Sequence, residues 1–440
     1  MKKRFLLSIA AMLLMMPQVL KADGFPRYYE LVTDASQLES GKYYVIIEIP
    51  TTEELEKEIQ YRMAYNGINT SESKGNVGSV TPNELYAQDG IEASKFSGII
   101  DIEKAGNAAK PLKMTINTTK TSSLGYTVWN FVDESVGTST LFIGTNAYIL
   151  GDSQHYLIGD EKTTENNIDN NHYHLWTISV GTNDNSGLRV IIRNVGKTYY
   201  LKYDANSYGG TDGLFRVYAS TESEKRNLML YKEMETVTAT TSFTGHGTLY
   251  YSDKVLMVPE GVTAKTYILG SKVVSSNTEY ATGKFIPKNS AVVLHGTAST
   301  TYTFPVTNRH NPDRDKDNIL KGFDDGGKTT SDTGNDKDYY FYKLTTKNHV
   351  AESVGFYWGE TDGAPFISAA HKAYLAILQK QAANVREFLL NSNTSTAITT
   401  PIYEAPADDA IYDLTGRKVD SSQTLRRGIY ITNGKKFVVK

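Results

Sequence analysis

Paired histidines, evenly spaced aspartates and tryptophans set in strand patterns are the residues of this chain whose types and spacing could do chemistry. His172 and His174 stand two apart in NHYHLW. On a strand, alternate residues share a face, so the two imidazoles could hold one metal ion. No third ligand is identifiable beside them, and two histidines at a strand entrance read better as surface residues. The other histidines (His155, His246, His295, His310, His349 and His371) are scattered, and none belongs to an HExxH motif. Asp313, Asp315 and Asp317 in NPDRDKDNILKGFD are spaced like the first ligands of a calcium loop, with Asp324 at the twelfth position. Asn318 stands where such a loop needs glycine, Asp324 replaces the bidentate glutamate, and Arg314 and Lys316 offset the charge. A solvated loop is the better account.

Catalytic signatures are missing. No GxSxG elbow occurs, and GDSQH (Gly151 to His155) only sets a serine near a histidine. GHGTLY lacks the third glycine and following helix of a dinucleotide site, and no phosphate loop is present. Paired carboxylates for glycoside hydrolysis are recognised only by their separation in space. Trp129, Trp176 and Trp358 could present aromatic platforms, since Trp and Tyr combine apolar area with a polar handle. Each lies inside a strand pattern, where core packing is the commoner fate. The sequence therefore assigns no catalytic residue, no cofactor-binding residue and no metal ligand, implies no cofactor, and leaves the ligand-binding residues unknown.

Composition narrows the class. The chain has 440 residues, 40% hydrophobic and 22% charged, with 46 basic against 49 acidic side chains and a formal net charge of −3. That balance suits two or three globular domains and argues against a dedicated nucleic-acid binder. Cysteine is absent, which removes disulfides, thiolate metal sites and cysteine nucleophiles together. Thirty tyrosines and 35 glycines favour strands and turns.

The elements that must position these residues read as short strands. KYYVIIEI (Lys42 to Ile49), FSGIIDI, YTVWNFV, TLFIGT, YHLWTISV, LRVIIRNV, TYYLKY and LMLYK (Leu228 to Lys232) are separated by Gly, Asn and Asp clusters. One stretch departs from this: Leu55, Ile59 and Met63 repeat every four residues, which predicts a helix over about residues 52–66. From Thr236 a second β-rich block contains GTLYYSD, VLMVPEGVTAKTYIL, KFIPKNSAVVLHGTA, TYTFPV, DYYFYKL and VGFYWGE. Residues 369–390 are rich in helix formers, and residues 391–410 read as an extended Ser/Thr/Pro linker.

The two ends carry address-like patterns. Lys2, Lys3 and Arg4 precede an apolar run from Phe5 to Met16, and Ala22 offers a cleavage point, the layout of a secretory signal peptide over residues 1–22. At the other end, AIYDLTGRKV is expected to form a strand and GIYITNGKKFVVK a hairpin turning at Asn433-Gly434. Residues 411–440 hold seven basic and two acidic side chains, a local excess of +5. IYDLTGRKV, LRRGIYI and NGKKFVVK in that order resemble the C-terminal sorting domain of the type IX secretion pathway of Bacteroidota. The resemblance implies passage through the outer membrane by way of the secretion machinery. YYSDKVLMVPEGVTAKTYIL, FIPKNSAVVLHG, NILKGFD, GFYWGE and AHKAYLAI resemble a β-sandwich-like module of uncharacterised secreted proteins of the same bacteria. By that resemblance HKAYLAIL is a strand. The first block more loosely resembles a repeated β-barrel-like module, through YYELVTDASQLESGKYYVII and KTYYLKY.

These readings give an all-β chain of two antiparallel β-sandwich or barrel-like domains, with one short helical insertion and a C-terminal β-hairpin sorting segment. The divisions are residues 1–22, 23–234, 235–390, 391–410 and 411–440. The expected function is a secreted or cell-surface, non-enzymatic binding protein, an adhesin or glycan- or protein-binding accessory. The alternatives are a secreted hydrolase acting on polysaccharide or peptide, and a structural or inhibitory protein. Expected partners are the secretion machinery and an extracellular glycan or protein, with no nucleic acid and no membrane span after signal cleavage.

Overall fold

The computed structural model describes residues 24–48, 62–69, 74–80, 85–87, 98–103, 109–118, 125–135, 140–145, 157–160, 174–183, 187–195, 199–204, 214–218, 228–270, 274–308, 311–331, 333–382, 385–390, 411–413, 418–419, 427–432 and 435–439. The expected signal peptide, the expected linker and residues 52–61 of the expected helix lie outside them. The chain is nearly all β. Its described residues fall into two compact units, one within Met1–Ile268, Ser276–Lys328 and Ile367–Tyr374, the other within Leu269–Ser275, Thr329–Phe366 and Leu375–Lys440.

The first unit opens with β1 (Tyr28–Leu31), β2 (Lys42–Glu48), β3 (Arg62–Asn69), β4 (Lys74–Val80), β5 (Leu85–Ala87), β6 (Gly98–Asp101), β7 (Leu112–Ile116) and β8 (Val128–Asp133). It continues through β9 (Leu141–Thr145), β10 (Leu157–Asp160), β11 (Leu175–Asn183), β12 (Gly187–Asn194), β13 (Tyr200–Asp204), β14 (Leu214–Tyr218) and β15 (Leu228–Glu233). Six of these close a ring in the order β2-β7-β8-β11-β12-β15, antiparallel at every step, with Val190↔Leu228 and Leu230↔Ile46 making the last two joints. Closure leaves no unpaired edge in the ring.

Hairpins β3–β4, β9–β10 and β13–β14 are inserted after β2, β8 and β12, so the same unit of barrel strand, hairpin and barrel strand occurs three times, as in a trefoil. Each ring strand turns two residues inward: Tyr44 and Ile46, Leu112 and Met114, Trp129 and Phe131, Trp176 and Ile178, Val190 and Ile192, Leu228 and Leu230. That is the alternation a small barrel uses to fill its interior. Tyr65, Ile68, Leu157, Tyr203 and Phe215 from the hairpins join the same core.

The helix expected over 52–66 is corrected where it can be seen, because Arg62–Asn69 is a strand. Tyr65 and Ile68 enter the barrel core, and the Tyr65 hydroxyl donates to the buried Asp133 at 2.6 Å. Tertiary burial outweighs the four-residue spacing there. Among the described residues the α-helical element is a single turn at Gln379–Ala382.

Further strands follow: β16 (Thr236–Thr240), β17 (His246–Leu249), β18 (Val255–Met257), β19 (Val262–Leu269), β20 (Val274–Tyr280), β21 (Phe285–Ile286), β22 (Val292–Gly296), β23 (Thr301–Thr307), β24 (Leu320–Gly322) and β25 (Gly327–Lys328). Sheet β16-β23-β18-β21 faces sheet β17-β22-β19, and Val237, Leu256, Phe304 and Val306 of the first pack with Leu249, Val262, Ala264 and Leu294 of the second. This is a β-sandwich. Tyr302 closes one end: its hydroxyl donates to Gly261 O at 2.9 Å and accepts from Thr297 N at 2.7 Å. Gly296 lies under that ring, where a Cβ would stand 2.6 Å from the tyrosine oxygen.

The chain then forms β26 (Tyr339–Thr345), β27 (Gly355–Trp358), β28 (Ile367–Ser368), β29 (Ala373–Leu378), β30 (Glu387–Leu389), β31 (Ile411–Asp413), β32 (Lys418–Val419), β33 (Gly428–Thr432) and β34 (Lys435–Val439). In the second unit β26, β27 and β30 pair antiparallel, with Phe356 opposite Phe388. The helix-former-rich run of residues 369–390 divides into strand β29, the short helical turn and β30. AIYDLTGRKV, expected as one strand, is a hairpin of β31 and β32, and the last four strands order as β32-β31-β33-β34. Thr432 pairs with Lys435, which bears out the expected hairpin, while Asn433 and Gly434 themselves lie outside the described residues.

Candidate functional site

The first unit carries a polar cleft of about 830 Å³, bounded by the end of β1, the turn after it, the start of β2, the end of β15 and the end of β23. The turn is fixed by a reciprocal cap. Asp34 accepts from Ser36 N, while the Gln37 side chain accepts from Asp34 N at 3.1 Å and Thr33 N at 2.6 Å. Tyr44 locks its far side, accepting from Glu39 N and donating to Glu39 O. Such capping sets the backbone path without needing a helix of any length.

Charged side chains line the cleft in opposed pairs. Lys232 bonds Glu39 at 2.7 Å and Lys42 bonds Glu233 at 3.2 Å. Glu30 accepts from the Thr307 hydroxyl of β23, and Glu235 takes Lys254 at 2.9 Å. The Lys232 hydrogen bond lowers the Glu39 pKa, whereas burial raises that of Glu233 despite Lys42 beside it. The walls thus offer both donors and acceptors to a polar ligand. They hold one carboxyl group that takes a proton more readily than usual.

A second cluster lies on the outer face of sheet β17-β22-β19. The register sets His246 opposite His295, with ring centroids 4.7 Å apart at 70°. His246 Nδ1 bonds Thr244 O at 2.8 Å, and His295 Nε2 lies 3.0 Å from the Tyr267 hydroxyl. Burial lowers both imidazole pKa values, that of His295 to about 3, helped by His246 and Lys265 nearby.

The residues marked by the sequence have other fates. Trp129 and Trp176 are barrel core. Trp176 stacks on Phe131 at 5.4 Å and donates Nε1–H to Ile143 O at 2.8 Å, so neither offers a platform. Trp358 is half-buried beside Tyr340, with the Arg386 guanidinium 5.2 Å above its ring. The aspartates of the calcium-like spacing separate. Asp315 accepts from Thr266, Thr278, Asn277 and Asp317 N, and Asp324 accepts from Ser252 N. The Asp315 carboxylate is engaged in holding its loop to β19 and β20. His174 is half-buried at the entry to β11, while His172, Ser153 and His155 lie outside the described residues.

Reading the chain linearly missed both clusters, because each is assembled across strands far apart in sequence. The usable signal was the position of His246 and His295 at the ends of two apolar strand runs, and only pairing register turns that into proximity. No helix among the described residues is long and apolar enough to cross a membrane. Compared with known proteins, the chain matches no family model and no curated protein.

Proposed function

We propose that this chain is a secreted or cell-surface, non-enzymatic binding protein, an adhesin or an accessory that holds a glycan or protein. The observation that carries the binding role is the polar cleft: concave, ligand-sized, and walled by lysines and glutamates already matched with one another. Pre-paired charges give recognition by exchange of hydrogen bonds. Export rests on the resemblance of the two ends to a signal peptide and a type IX sorting domain. Glycan and protein arrays probed with the full chain should return one ligand class whose binding falls at least tenfold in K232A/E39A. Arrays on which nothing binds would refute the role. Deleting Ile411 to Lys440 should trap the protein in the periplasm, and unchanged extracellular levels would refute the address.

One observation favours the hydrolase alternative. Burial raises the Glu233 pKa, and Glu233 shares its cleft with Glu30, Glu39 and Glu235. Polysaccharide or peptide hydrolysis abolished by Glu233→Gln would replace the binding role with catalysis.

A further inference from the structure

The paired histidines of the sandwich serve neither core packing nor the cleft. Each ring has one nitrogen occupied by the protein: Nδ1 of His246 on the Thr244 carbonyl, Nε2 of His295 on the Tyr267 hydroxyl. That leaves Nε2 of His246 and Nδ1 of His295 open. Metal-binding histidines ordinarily have the other ring nitrogen held by a carbonyl or a polar side chain, which sets the tautomer and the ring plane. The spacing also fits. A metal held at about 2.1 Å by one nitrogen of each ring puts the centroids roughly 4.6 to 5.3 Å apart for bond angles between right and tetrahedral. The observed centroids are 4.7 Å apart.

We propose that His246 and His295 together bind a late first-row divalent transition metal, copper(II) ahead of the others, with Tyr267 orienting His295 and water completing the shell. Among the described residues no three His, Cys, Asp or Glu side chains gather around one point, so the protein supplies two imidazoles. A two-nitrogen set filled out by water suits the tetragonal preference of copper(II), which also heads the affinity order. Lys265 is the nearby cation that opposes a metal, and its charge is offset by Glu279 at 2.9 Å. The occupant is the ion itself, so this site stands apart from the cleft and from whatever the cleft holds.

The test is copper(II) titration of the full chain, followed by calorimetry and electron paramagnetic resonance. One site should fill with a spectrum showing two nitrogen ligands. H246Q and H295Q should each weaken that site at least tenfold and remove one nitrogen from the spectrum. Y267F should keep both nitrogens while weakening binding less than either histidine change. His246 is half-buried at the start of β17, outside the apolar core of the sandwich, so H246Q is the variant expected to stay folded, with far-UV circular dichroism as the check. Copper affinity and spectrum unchanged in folded H246Q would overturn the site and assign any uptake to other histidines.

Discussion

At the scale of single residues, hydrogen bonds that span long stretches of chain do much of the positioning. Tyr302 bridges two turns of the sandwich through one hydroxyl, so Tyr302→Phe removes the donor to Gly261 O and strands Thr297 N. Urea denaturation should show a loss of about 0.5–1.5 kcal/mol, the net worth of a typical hydrogen bond, since water can reach the exposed Thr297 and Gly261. Asp315 does the same for the loop ahead of β24. Burial alone would raise its pKa, but hydrogen bonds from Thr266, Asn277, the Asp317 amide and Thr278 outweigh that and hold it below the usual carboxylate value. A carboxylate depressed in the folded state stabilises above its unfolded pKa, and the benefit fades as pH falls through the folded one. Thermal midpoints should therefore drop below about pH 4 in the parent and drop less in Asp315→Asn, which lacks the titrating group. An identical acid slope in both would exclude Asp315 as the cause.

Elements follow from alternation wherever one face is buried. Tyr44 and Ile46, or Val190 and Ile192, stand two apart in the sequence and point into one barrel, so those strands were legible. Breaks within strands were only partly so. KFIPKNSAVVLHGTA is two strands because Asn289 adopts φ 56° between β21 and β22 and its amide bonds Tyr251 O. VLMVPEGVTAKTYIL divides at Gly261, whose φ of 82° suits glycine. The helix expected over 52–66 fails at residues 62–66 because an i, i+4 repeat of three residues does not register the pull of a barrel that needs Tyr65. The cleft was illegible for a related reason: Glu30, Glu39 and Lys232 meet through pairings of β1, β2 and β15 that no local pattern encodes. Barrel stability should concentrate in the aromatic layer. Trp176→Ala should cost about 3–5 kcal/mol and lower hydrogen-exchange protection in all three hairpins. Loss confined to β9–β10 would argue against a shared core.

For the molecule as a whole, the barrel and the sandwich of the first unit are joined by more than the two residues between β15 and β16. Tyr28, Ile99, Met234, Met257 and Phe285 form one apolar cluster drawn from both, and Glu30 of the barrel meets Thr307 of the sandwich. Met257 is fully buried there. Met257→Ala should cost about 2–5 kcal/mol and destabilise both parts together. Hydrogen exchange should then show the barrel and sandwich opening as one. Separate transitions would mean that the cluster does not couple them.

The ring of six strands has one more implication. Its first and last members, β2 and β15, lie next to each other, with Lys232 facing Tyr44 across the joint. Entry to and exit from the barrel therefore share one rim, and the three repeated units are joined head to tail like links in a bracelet.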